Sequence, residues 1–121
     1  MPTILLIDDD EILLNALTRF LKREGFEVQA CGNGKDALEH LDRHSYDLVI
    51  TDINMPYANG FEVMTWIRSE ERHKGIPVIA MTSMSSESFI SQCYRTGASD
   101  FLPKPIMPRE LNIRVRKLLE A

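Results

Sequence analysis

Short apolar runs alternate with amphipathic stretches along the whole chain. The runs read ILLID at Ile4–Asp8, LVITD at Leu48–Asp52, VIAMT at Val78–Thr82 and FLPKP at Phe101–Pro105. Runs this short and this apolar, separated by helical stretches, predict buried parallel strands. Strand one is expected at about Thr3–Asp8, strand three at Asp47–Asp52 and strand five at about Asp100–Leu102, while Pro77 opens strand four. A fifth segment, Phe26–Cys31, sets Phe26, Val28 and Ala30 against Glu27 and Gln29. That alternation predicts an edge strand, wet on one face. Pro103 has no N–H to give a neighbour, which puts strand five at the other edge.

Between the strands the apolar positions follow a helical period. The first helix is expected from about Asp10 to Glu24, with Leu13, Ala16, Leu17, Phe20 and Leu21 inward and Gly25 as its C-cap. The second runs from about Lys35 to His44, with Ala37, Leu38 and Leu41 inward. A loop over Ile53–Asn59 carries Pro56 and leads through Asn59-Gly60 to a third helix at about Phe61–Glu71. Ser85 and Ser86, followed by Glu87, start the fourth, and Gly97 ends it. Pro108 stands in the first turn of the fifth, which ends near Glu120.

Five strand–helix units predict one α/β domain of the flavodoxin-like kind. It is an open five-stranded parallel sheet with helices on both faces, since a closed barrel takes eight units. With strands two and five at the edges, the order is 2-1-3-4-5. Ligands of such sheets bind outside the carboxyl ends of the strands, where the strand order reverses. Here those ends belong to strands one and three, and they carry Asp8-Asp9 and Asp52. Thr82 ends the next run, and Lys104 stands next to last in the one after it.

That set defines a chemistry. Clustered carboxylates repel, and either one keeps its proton or a cation compensates. Oxygen ligands with no His or Cys beside them favour Mg²⁺, Mn²⁺ or Ca²⁺ over zinc, and Mg²⁺ suits an open, hydrated rim. An aspartate can also be a nucleophile that forms an aspartyl-phosphate. A metal ion, an ammonium and a hydroxyl then supply what phosphoryl transfer needs, which is placement and charge neutralisation.

Charge and cysteine content narrow the setting. The net charge of −4 gives no overall attraction to nucleic acid or anionic membrane, so neither is expected as a direct partner. No apolar run approaches the roughly 18–20 residues that span a bilayer. Acids follow the N-terminal strand at once, unlike a signal peptide, and the expected location is cytoplasmic. Cys31 and Cys93 fit no disulfide framework or metal motif and are expected to be plain buried thiols.

In its motifs the chain resembles the receiver domain of two-component response regulators, of the chemotaxis-regulator kind. The likeness is carried by LLIDDDE at Leu5–Glu11, TDINMP at Thr51–Pro56 with Asn59-Gly60, MTS at Met81–Ser83, and Lys104-Pro105. It covers essentially the whole chain. The resemblance implies a signalling switch that catalyses only its own phosphorylation and slow dephosphorylation. Asp52 would be the phosphorylated residue. Asp8 and Asp9, with Asp52 and the Asn54 carbonyl, would hold Mg²⁺ or Mn²⁺. Thr82 and Phe101 would be the switch pair, and Lys104 would pair with the phosphoryl group across a cis Lys104–Pro105 bond. Asn54 and Met84 would flank the path of the hydrolytic water. The implied partners are a sensor histidine kinase or phosphotransfer protein and a downstream target read by helix four, strand five and helix five, with a phosphorylation-dependent dimer among the outcomes. Asp10, just past the acidic pair, reads as the N-cap of helix one.

Other readings compete. Asp8-x-Asp10 superficially matches the nucleophile motif of haloacid-dehalogenase-like phosphatases, but Ile12 stands where Thr or Val is wanted and the chain leaves no room for a cap. A flavodoxin-like flavin binder would carry a Ser/Thr/Gly-rich phosphate loop after strand one, which is absent here, and DDDE would repel phosphate. A receiver-like interaction module working without phosphorylation would not need the acidic set and Lys104. His40 and His44 stand one helical turn apart, without a visible third ligand. Arg109, Arg114, Arg116 and Lys117 make helix five basic, as a solvated face or a docking face.

Overall fold

The structure is a computed structural model and describes residues 1–55, 57–84 and 86–120. The strands are β1 (Thr3–Ile7), β2 (Glu27–Cys31), β3 (Leu48–Asp52), β4 (Val78–Thr82) and β5 (Asp100–Pro103). They form one parallel sheet in the order β2-β1-β3-β4-β5. The helices are α1 (Glu11–Arg23), α2 (Gly34–Arg43), α3 (Gly60–Ser69), α4 (Glu87–Thr96) and α5 (Pro108–Glu120). Pro56 and Ser85, named above in the loop and at the start of helix four, lie outside the described residues.

Strand alternation sorts the core into two layers. Leu5, Ile7, Val49 and Ala80 pack with Ala37 and Leu41 of α2, Val63, Met64 and Ile67 of α3, and Cys93 of α4. Ile4, Leu6, Leu48, Ile50, Ile79 and Met81 pack with Leu14, Leu17 and Leu21 of α1 and Leu111 and Val115 of α5. Every residue of β3 and β4 is buried, as their unbroken apolar runs require. Both cysteines are free and buried.

The sequence places some details differently. The inward stripe of α1 is Leu14, Leu17 and Leu21, whereas Ala16 is exposed and Leu13 only half-buried. Packing sets the inward face: Leu14, Leu17 and Leu21 lie against Ile4, Leu6 and Ile50 of the sheet and Leu111 and Val115 of α5, with Leu13 and Phe20 at the margin, while the Asp10 cap accepts from the Ile12 and Leu13 N–H groups as expected. Glu24 is the C-cap of α1, and Gly25 follows it at φ 97°. That is the place for a glycine, because the left-handed region strains other residues. In α2 the start is one residue earlier than expected, since Asn33 caps it by accepting from the Asp36 N–H at 2.9 Å. α3 stops at Ser69 rather than Glu71. The Glu70 carbonyl accepts from the His73 and Lys74 N–H groups in a tight turn that buries His73 completely.

Candidate functional site

Sheet register brings the predicted residues to one rim. Ile7 pairs with Thr51, so Asp8 and Asp52 come next on adjacent strands. Asp52 pairs with Met81, one residue before Thr82, and Thr82 pairs with Pro103, one residue before Lys104. Four neighbouring strand ends thus step the acids, the hydroxyl and the ammonium past the sheet in order. Lys104 is tied back to β4 by its own N–H, which donates to the Thr82 carbonyl at 2.8 Å, and its bond to Pro105 is cis as expected.

Carboxylate oxygens of Asp8, Asp9 and Asp52 lie within 4.8 Å of one another. Asp8 is fully buried, Asp52 nearly so, and Asp9 exposed. One cation serves two of them: Lys104 Nζ lies 2.9 Å from Asp8 Oδ2 and 3.4 Å from Asp52 Oδ2. Asp8 Oδ2 has this ion pair but no well-directed hydrogen bond, while Asp8 Oδ1 accepts from the Asp10 N–H at 2.9 Å. The Ile53 N–H donates to Asp52 Oδ1 at 2.8 Å and fixes the rotation of that carboxylate.

A single ammonium cannot neutralise the cluster. Burial pushes the Asp52 carboxyl up to about 6, and the charge of Asp8 and a hydrogen bond with Asp9 push the same way. The field of Lys104 and the Ile53 N–H oppose this without overcoming it. For the Lys104 ammonium, burial pulls the pKa down, but the bond to Asp8 and the charges of both acids outweigh it and leave it raised. Negative charge in excess, a buried carboxylate oxygen without a directed donor and an all-oxygen donor set fit a hard divalent cation.

Thr82 is fully buried, and its Oγ1 accepts from the Met84 N–H at 3.1 Å. Met84 itself is half-exposed, and Asn54 is exposed two residues past Asp52. Phe101 sits half-buried on the edge strand, paired in register with Ala80 and packed against the α2–α3–α4 layer. A groove of 410 Å³ lined by Asp10, Leu13, Ser83, Lys104, Pro105 and Ile106 opens beside the acids. A larger one, 640 Å³, lies at the opposite pole around Phe26, His44 and Tyr46 and holds none of the site residues.

Two comparisons decide what this constellation belongs to. The sequence profile of the response regulator receiver domain matches residues 4–116. The chain is also 38% identical over 117 residues to the transcriptional regulatory protein GltR of Pseudomonas aeruginosa, covering 97% of this chain and 48% of that protein. The chain belongs to the response regulator receiver domain family. SrrA of Staphylococcus aureus, another transcriptional regulatory protein, is 34% identical over 116 residues, covering 96% of this receiver domain and 47% of SrrA. The chain therefore spans about half the length of these curated relatives. The chemotaxis response regulator CheY4 of Vibrio cholerae superposes with a TM-score of 0.92 at 27% identity, covering 98% of each chain.

As a receiver domain of the two-component type it is a signalling protein rather than a classical enzyme, and response regulators work with histidine kinases. Receiver domains typically hold Mg²⁺ in an acidic pocket such as the Asp8–Asp9–Asp52 cluster. No helix among the described residues is long and apolar enough to cross a membrane.

The other candidates resolve differently. The His40 and His44 rings lie 6.4 Å apart, and neither belongs to a metal-capable group of three among the described residues. The basic face of α5 is partly satisfied from within. Arg114 pairs with Asp100 at 2.7 Å and with Glu110, and Arg116 reaches Glu24 and lies over the Phe26 ring. Two other groups, the buried His73 and the half-buried Arg68, leave no trace in the residue pattern. His73 Nε2 contacts the Leu41 carbonyl at 2.7 Å, and Arg68 donates to the carbonyls of Gly97, Lys74 and Ile76.

Proposed function

We propose that this chain is a phosphorylation-operated switch in which Asp52 accepts a phosphoryl group from a histidine kinase or phosphotransfer protein. The observation that carries this reading is the convergence of three carboxylates within 4.8 Å, with Lys104 bridging the two buried ones. The Asp52 carboxylate attacks phosphorus in line, a P–O bond forms, the P–N bond to the donor imidazole breaks, and the imidazole leaves. Asp8, Asp9, Asp52 and the Asn54 carbonyl would hold Mg²⁺ or Mn²⁺, which supplies charge neutralisation to the phosphoryl oxygens. Ile53 keeps the nucleophile oriented through its N–H. Lys104 already stands beside Asp52 and turns its ammonium to the incoming phosphoryl charge.

Thr82 releases its hydroxyl from the Met84 N–H to meet the phosphoryl group, and the half-buried Phe101 ring follows into the space vacated. With no ring hydroxyl to place, Phe101 responds through burial alone. The rearranged α4, β5 and α5 surface then changes partner choice, including self-association of the phosphorylated form. Neither Asn54 nor Met84 carries a general base for the attacking water, so hydrolysis is slow. The proposed setting is cytoplasmic. Any contact with DNA belongs outside these residues, whose net charge is −4.

Intact mass after incubation with Mg²⁺ and a small acyl phosphate tests the assignment. The wild type gains one phosphoryl group and Asp52→Asn gains none. An unmodified wild type, or an Asp52→Asn variant that is modified equally, overturns it. In phosphate-free buffer, Mg²⁺ binding followed by Trp66 fluorescence or NMR is weak. It weakens further by about tenfold in Asp9→Ala, because an exposed carboxylate is lost from a hydrated site. An unchanged affinity removes Asp9 from the ligand set.

A further inference from the structure

We propose that Gly34 is a positioning residue for the Asp52 site, acting through the loop that follows β3; this rests on the phosphoryl-accepting reading above. Gly34 is the first residue of α2, directly after the Asn33 cap, and it is buried. It has no positive φ that would call for glycine. The reason for it is space. A Cβ at Gly34 would lie 2.0 Å from the Ala58 carbonyl oxygen, 2.7 Å from the Ala58 carbonyl carbon and 2.8 Å from the Ala58 Cβ. The first two are backbone atoms, so no side-chain rotation relieves the clash.

Ala58 is itself wedged. It is buried two residues before Gly60, where a Cβ would stand 2.5 Å from the Asp52 carbonyl oxygen and 2.8 Å from the Ile53 Cα. The Gly60 N–H closes the loop by donating to the Ile53 carbonyl at 2.8 Å. The Ile53 N–H in turn donates to Asp52 Oδ1 and to the Met81 carbonyl. A continuous run of contacts therefore leads from Gly34 through Ala58, Gly60 and Ile53 to the nucleophilic carboxylate. Within this loop Tyr57 is held at φ 71°, a conformation that costs a bulky residue energy. The first turn of α2 is thus the wall that sets where the loop, with Asn54 and the orienting Ile53 N–H, stands against Asp52.

The test compares Gly34→Ala with Leu38→Ala, which trims a half-buried residue one turn further along the same helix. Mg²⁺ affinity, the initial rate of phosphorylation by an acyl phosphate and the thermal midpoint are measured for each. In Gly34→Ala the expected result is Mg²⁺ affinity and initial rate each lowered about tenfold, since displacements of about an ångström cost that much or more, with one phosphoryl group still taken up at long times. Leu38→Ala lowers the midpoint but leaves affinity and rate within about twofold. Should Gly34→Ala not fold, Ala58→Gly decides: it loosens the same contact and lowers affinity about threefold with little change in midpoint. Affinity and rate unchanged in a folded Gly34→Ala overturn the proposal. So does an equal loss in Leu38→Ala, or an unchanged affinity in Ala58→Gly where that variant decides. A wild type that neither binds Mg²⁺ nor takes up phosphoryl overturns the parent reading along with it.

Discussion

In metal-free buffer at pH 7.5, Asp52→Asn unfolds at a higher urea concentration than the wild type, with a stability gain of about 2–3 kcal/mol. The cause is the price of holding Asp52 ionised beside Asp8, which burial and that charge have pushed up to about 6 from 3.8. Roughly two pKa units correspond to about 3 kcal/mol. The sign follows from which state holds the proton. Between pH 3.8 and about 6 the native state keeps a proton that the unfolded chain has released, so wild-type stability falls as pH rises through that window. Above it the penalty is complete, and below it there is none. The gap between variant and wild type is therefore largest near neutrality and closes toward pH 4. Saturating Mg²⁺ narrows it from the other side by stabilising the wild type. Urea titrations at four or five pH values decide the matter. A gap of the same size at pH 4 and pH 7.5 would show that ionisation of Asp52 is not its source.

The second large effect is expected far from the acids. Arg68→Met lowers stability by about 3 kcal/mol, because its charged donors each contribute more than a neutral hydrogen bond. The guanidinium donates to Ile76 O at 2.6 Å, Lys74 O at 2.9 Å and Gly97 O at 2.6 Å, and so joins the end of α3, the approach to β4 and the C-cap of α4. The thermal midpoint should drop by on the order of 10 °C. Arg68→Lys should recover little, since one ammonium cannot span the same three carbonyls. Amide exchange in α4 should quicken in both variants while Mg²⁺ affinity stays as in the wild type. A midpoint shift of only a degree or two would mean that water replaces the guanidinium without loss.

The contrast between these two residues shows what could be read from the sequence. Asp8, Asp9, Asp52, Thr82 and Lys104 were legible because each ends or follows an apolar run, and parallel strands in this order must bring such ends to one rim. The edge positions of β2 and β5 followed from polar alternation and from Pro103. Arg68 and His73 left no such trace. Their partners are backbone carbonyls, which every residue carries, so no side-chain pattern announces them. The inward face of α1 was misplaced for a related reason: apolar positions alone fit more than one phase, and packing against the sheet and α5 selects Leu14 over Ala16. Gly34 was visible as a glycine, but its neighbour Ala58 is brought to it only by folding.

Lys104 touches more of the sheet than any other residue of the site. It continues β5, its N–H is bound to the end of β4, and its ammonium reaches Asp8 beyond β1 and Asp52 on β3. Deleting one residue between Phe101 and Lys104 would draw that ammonium back by about 3.3 Å and turn it to the other face of the sheet. Length changes in relatives of this chain should therefore gather at the far pole, around Gly25, the 44–47 turn and Gly75, where the helices hand over to the strands. Among the far turns, the one at Gly97 should resist them, because Arg68 is fastened to its carbonyl.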